Sequence, residues 1–126
     1  MGQGKGSAIA ITLLLCLFLI QSEMAHARAR VYTVGDAKGW TFNVNSWTKG
    51  KIFRAGDILV FKYPQMAHNV VMLKNKVAYN WCLKPRGSKV YQTGKDRITL
   101  VKGYNYFICG FPGHCKAGMK IAIKAL

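Results

Sequence analysis

The sequence predicts an all-β fold, a Greek-key antiparallel β-sandwich of seven to eight strands. Three observations carry that expectation. The chain has 126 residues, 51% hydrophobic and 18% charged, which suits one domain with a buried core and argues against disorder. Apolar and β-branched residues alternate over short runs, punctuated by Gly, Pro and Asn turns at roughly 8–12-residue spacing. No helical period persists over three turns. Multidomain enzymes, coiled coils and collagen-like repeats are excluded on the same grounds.

The elements follow in chain order. Lys5 precedes an apolar stretch, Ala8–Ile20, and small residues follow at Ala25-His26-Ala27 and Ala27-Arg28-Ala29. A membrane-spanning helix needs roughly 20 apolar residues, so this stretch reads as the core of a secretory signal peptide. The expected leader is 1–29, and the folded domain is 30–126. Val31–Val34 is the first strand, followed by the turn-rich run Gly35-Asp36-Ala37-Lys38-Gly39. Trp47–Phe53 has room for a short helix. Ile58–Tyr63 and Asn69–Leu73 are the next strands, separated by a loop holding Pro64. Val77–Trp81, Lys89–Gln92, Arg97–Val101, Tyr104–Cys109 and Lys120–Ile123 complete the set. Asp57 and Gly103 read as turns that launch strands.

Without the leader the inventory is short. Cys82, Cys109 and Cys115 remain, with His68 and His114. An odd cysteine in an exported chain needs either protection or a use. The loop between the last two strands runs Cys109-Gly110-Phe111-Pro112-Gly113-His114-Cys115-Lys116-Ala117-Gly118-Met119. A thiol, an imidazole and a thioether recur there with four residues between each. Gly110, Pro112, Gly113 and Gly118 allow the tight turning that would point all three inward. Thiolate plus thioether is a soft donor set that suits copper, and His68 is available as the second imidazole of a His₂Cys site with an axial Met. A Greek-key sandwich can bring a strand end some forty residues upstream beside this loop.

Each residue has a plainer reading. Met119 could be a core side chain, His114 an exposed loop residue, His68 a strand-end histidine, and Cys109 half of a disulfide. Those readings must together explain two histidines, a spare cysteine and a methionine that match one site. Zinc in a Cys₂His₂ arrangement competes, although no C-x₂-C pair is present and export favours oxidation of two thiols. A Cys109–His114 nucleophile–base pair lacks a nearby acidic orienter and a readable oxyanion-stabilising element, so an enzyme is not expected.

With these residues in view, the sequence resembles the phytocyanin family of plant blue copper proteins, specifically its plantacyanin, or basic blue, branch. The similarity runs from Val31-Tyr32-Thr33-Val34-Gly35 through Gly39-Trp40, Phe53-Arg54-Ala55-Gly56-Asp57 and His68-Asn69-Val70-Val71. It ends in Phe107-Ile108-Cys109 and Phe111-Pro112-Gly113-His114-Cys115. The resemblance implies a cupredoxin-like fold and one copper ion per chain, held by His68, Cys109, His114 and Met119. It also implies a Cys82–Cys115 disulfide, the pairing that is left if Cys109 is a ligand. Methionine at position 119 argues against the stellacyanin-like branch, which carries Gln there. Asn69 has two readings: a residue that orients the Cys109 loop, or an ordinary strand-opening residue. Many relatives append a Pro/Ser-rich segment and lipid-anchor signal; the chain stops at Ala125-Leu126, so neither is expected.

The expected function is one-electron transfer through Cu(I)/Cu(II), with His114 at the exposed edge. Removing Lys5, Arg28 and Glu23 leaves 17 basic residues facing Asp36, Asp57 and Asp96, a net +14. Such a field steers anionic partners and weakens with salt. In the extracellular space or cell wall, those partners would be an acidic redox protein, a small redox partner or anionic wall polysaccharide. Nucleic acid is not expected, because no groove-reading or stacking motif is evident. The rival reading is a basic signalling or wall-binding protein in which copper is structural or dispensable. A monomer without a membrane anchor is expected.

Overall fold

Val31–Thr33 (β1) lies beside Ile58–Lys62 (β2), which pairs in turn with Lys95–Thr99 (β5) in a three-stranded sheet. The second sheet has four strands in the order Lys89–Tyr91 (β4), Val70–Leu73 (β3), Gly103–Ile108 (β6) and Lys120–Ala125 (β7). The computed structural model describes residues 9–17 and 28–126. Residues 9–17 are helical with exposed Ile and Leu side chains. The rest of the expected signal stretch, with the small residues at 25–27, lies outside the described residues. No described helix is long and apolar enough to cross a membrane.

The sandwich has seven strands, as the spacing predicts, with one departure in pairing. β1 runs parallel to β2, with Val31 opposite Ile58 and Thr33 opposite Val60. All other strand pairs are antiparallel. Parallel neighbours need a long crossover, and here residues 34–57 supply it.

That crossover also corrects the expected helix at Trp47–Phe53. A 3₁₀ turn forms just earlier, at Val44–Ser46, and successive three-residue turns follow instead of a helix. Phe53 bridges to Ala125 beside β7 and is buried in the core. The Asp57 carboxylate accepts the amides of Arg30 and Arg54 at 3.0 and 2.8 Å, which ties the crossover's end to the start of β1.

The expected strand at Val77–Trp81 is an α-helix, Lys76–Asn80 (α1). The Asn75 side chain accepts the Ala78 amide at 2.8 Å and caps the first turn. Ala78 faces inward while Val77 and Trp81 stay exposed, so an alternation that reads as a strand is spread around a helix.

Two apolar layers result. Leu59, Phe61, Ile98, Val70, Phe107 and Ile121 fill the space between the sheets. Val71, Leu73, Tyr106 and Ile108 point the other way and pack under α1 with Ala78 and Cys115. The four-stranded sheet is thus covered on both faces, which explains why β3 and β6 read as nearly continuous apolar runs.

Candidate metal centre

Three strand ends meet at one end of the four-stranded sheet. His68 lies two residues before β3, Cys109 directly after β6, and Met119 directly before β7. Antiparallel pairing of β6 with both β3 and β7 brings these ends together. The residues between Cys109 and Met119 form a series of turns. His114 donates its amide to the Phe111 carbonyl, and Met119 donates its own to the His114 carbonyl at 3.1 Å. The Cys109 amide reaches the Met119 carbonyl at 3.0 Å, so the two strand ends stay in register up to the site.

Gly118 sits at φ +83°, and a Cβ there would meet the Asn43 backbone at 2.9 Å. The loop is pressed against residues 43–45, whose Asn43 and Asn45 amides take the Ala117 and Gly118 carbonyls. Only glycine combines that dihedral with that approach.

The donor atoms converge. His68 Nδ1 lies 3.1 Å from His114 Nδ1, and Cys109 Sγ lies 3.5 Å from the same His114 nitrogen. Ligand atoms of His68, Cys109 and His114 all fall within 4.8 Å of one another. Cys109 and His68 are buried and His114 is half-buried. Met119 is fully buried in the core cluster that contains Cys109. Burial, reinforced by the neighbouring His114, pushes the His68 imidazole below its ordinary value of 6.5, so the ring is neutral near pH 7 with a lone pair to offer.

Within residues 30–126 the other two cysteines are bonded to each other, Cys82 to Cys115, 33 residues apart. That leaves Cys109 as a buried free thiol and removes the Cys₂His₂ zinc arrangement, which needs a second thiolate. One thiol, two imidazoles and the thioether of a methionine buried in the same core cluster are the donor types that suit copper.

Supporting contacts surround the cluster. Asn69 Oδ1 accepts the Gly110 amide at 2.7 Å, next to Cys109, while its backbone carbonyl accepts the Trp40 indole at 2.9 Å. Asn69 is buried and bridges two segments, which is more than a strand-opening residue does. Phe42 packs edge-on against both imidazoles, at 5.5 Å from His68 and 4.8 Å from His114. Sequence reasoning missed Phe42, which lies in the crossover far from either histidine and belongs to no motif. Phe111 lies against His114 from within the loop.

Comparison with known proteins agrees with this geometry. Residues 40–119 match the plastocyanin-like domain family. A basic blue protein from Arabidopsis thaliana is 49% identical over the full length of both chains. The structure of the cucumber basic protein, a blue copper protein, is 58% identical with a TM-score of 0.74, covering 76% of this chain and 99% of its own. Spinach plantacyanin is 56% identical with a TM-score of 0.68 at the same coverage of both chains. A cupredoxin-like sandwich, a spare thiol beside two imidazoles and relatives at this identity lead to one assignment: the chain belongs to the phytocyanin family of plant blue copper proteins, on its plantacyanin branch.

Proposed function

We propose that the protein is an exported one-electron carrier in which His68 Nδ1, Cys109 Sγ, His114 Nδ1 and the Met119 thioether would hold one copper ion. The observation that carries this reading is the convergence of two imidazole nitrogens on an unpaired, buried thiol. Copper bound there supplies a Cu(I)/Cu(II) couple.

The chain's own contribution is rigidity. Sulfur donors favour the reduced ion and imidazoles the oxidised one, so donors fixed between the two preferences need little movement on electron transfer. Backbone bonds between Cys109, His114 and Met119 hold the loop, and Asn69 holds Gly110. Phe42 packs against both imidazoles and Phe111 against that of His114, while His114, the least buried of the three donors, would provide the edge through which an electron passes. His114 is flanked by another histidine and by aromatic rings rather than a carboxylate, which gives a thiol-nucleophile enzyme no support.

Residues 1–29 act as the leader and 30–126 as the extracellular domain. Among the described residues Asp36 is the one exposed acid, because Asp57 and Asp96 are buried. This nearly uncompensated positive surface favours an acidic redox partner or anionic wall polysaccharide. It also keeps a second reading alive, a wall-binding or signalling protein in which copper is dispensable.

Reconstitution tests the carrier. Purified 30–126 loaded with Cu(II) should turn intensely blue and bleach reversibly on reduction, and His114→Ala should abolish the colour. A colourless adduct, or an unchanged spectrum in the variant, overturns the proposal. Biological activity that survives intact in the colourless variant supports the second reading.

A further inference from the structure

Lys62, Lys95 and Arg97 gather on the outer face of the three-stranded sheet, and the electron-carrier reading makes no use of them. Side chains alternate between the faces of a strand. Leu59, Phe61 and Ile98 point into the core, so Val60 and Lys62 of β2 and Lys95, Arg97 and Thr99 of β5 point outward. Val60 agrees with this placement, because it is only 7% exposed yet packs in neither core layer. Lys62 stands directly opposite Lys95, where Cβ atoms lie about 5 Å apart, and Arg97 follows about 7 Å further along β5. All three side chains are exposed.

The protein itself does not neutralise them. Asp96 falls between Lys95 and Arg97, but alternation turns it inward, where its carboxylate accepts from Tyr63 and Thr93. Asp36, the one exposed acid among the described residues, lies in the turn beyond β1. Among the described residues none of the three cations has a hydrogen-bond or ion-pair partner for its side chain. Lys51, Lys89, Lys120 and Lys124, by contrast, each rest over an aromatic ring. Like charges directly opposite one another destabilise a sheet, so the free protein carries a cost that a bound polyanion removes.

Shape and chemistry narrow the occupant. Small ligands favour concave pockets, whereas an extended chain can lie across a sheet face. The other outward residues here are Val31, Thr33, Ile58, Val60 and Thr99. Protein partners are anchored mainly by Trp and Tyr, and single-stranded nucleic acid by stacked rings. No aromatic side chain points outward from these strands, since Tyr32 and Phe61 both pack against the core. Cations and threonine hydroxyls suit a chain of carboxylated sugars.

We propose that this face binds an extended polyuronate, its carboxylates paired with Lys62, Lys95 and Arg97. The proposal gives the anionic wall polysaccharide suggested above a docking surface and rests on the export reading for its compartment, but not on copper.

Calorimetric titration with polygalacturonate fragments, on metal-free and copper-treated protein, tests it. Binding should be equal in the two forms, weaken with added salt and vanish for the fully methyl-esterified polymer. Lys62→Ser/Lys95→Ser and Arg97→Ser should each weaken it by about fivefold or more. Lys89→Ser/Lys124→Ser, which removes two exposed cations from the other sheet, should change it by less than about twofold. Saturating polyuronate should also raise the urea midpoint of the unmodified protein more than that of Lys62→Ser/Lys95→Ser. Equal loss in both lysine pairs means diffuse charge attraction and overturns the site. Tighter binding of polyglutamate than of polygalacturonate at matched charge overturns the ligand class in favour of an acidic protein. Neither result alters the blue colour, so the two readings fall separately.

Discussion

Met119 owes its place to two backbone hydrogen bonds, one with Cys109 and one with His114, while its side chain is sealed in the core. A change of side-chain chemistry at this position therefore leaves the loop anchored. Met119→Gln should retain copper and lower the reduction potential, because an amide oxygen is a harder donor that favours Cu(II). Voltammetry on the variant decides this, and an unchanged or higher potential would count against an axial role. A second residue-scale prediction concerns Tyr63, whose hydroxyl donates to the buried Asp96 carboxylate. Thr93 supplies that carboxylate's other two bonds, at 3.1 and 2.6 Å. Tyr63→Phe leaves a buried acceptor short of a partner and should cost about 1–3 kcal/mol in urea unfolding. Burial first, then the bond to Asp96, raises the Tyr63 phenol above its ordinary value of 10.0. The native state thus holds this proton more tightly than the unfolded chain. Its stabilisation is complete below pH 10 and is lost as pH rises further, so the stability loss between about pH 9 and 11 should be shallower in the variant.

Among the elements, the pairing of β2 with β5 is where charge and register conflict. Lys62 stands directly opposite Lys95, with Arg97 two residues further along the same strand. Like charges in that position repel, so Lys95→Glu should raise stability by about 0.5 kcal/mol, and the gain should shrink as salt is added. Urea midpoints at low and high ionic strength measure both effects. The strand pattern itself was legible because β-branched residues and turn glycines mark these short runs. α1 was not, although Asn75 is a recognisable cap, because five residues are too few to display a helical period. In isolation, Val77, Tyr79 and Trp81 alternate as a strand would. Ala78 packing beneath the helix against the sheet decides otherwise.

For the whole molecule, the Cys82–Cys115 bridge joins the region after α1 to the loop that carries His114. Closing a loop of this length should stabilise the fold by about 4 kcal/mol. The double variant Cys82→Ser/Cys115→Ser should lose about that much in chemical denaturation, and a loss under 1 kcal/mol would show that the sheets alone organise this end. The candidate site was legible as a set of residue types, since an odd cysteine and evenly spaced Cys, His and Met stand out in a chain with so few such residues. His68 entered by the scarcity of histidines. Phe42 and the packing of residues 43–45 against Gly118 were not legible, because they come from a long crossover with no periodic pattern.

Local chemistry by itself determined the class of fold, the β-strands, the turns at Asp57 and Gly103 and the inventory of soft donors, since each depends on near neighbours in the chain. The tertiary structure decided the parallel pairing of β1 with β2, the 3.1 Å approach of two histidines 46 residues apart, and the packing of residues 43–45 against the loop at Gly118. Those features depend on which sheet faces find each other, and that choice is made by burial of the whole core rather than by any single segment.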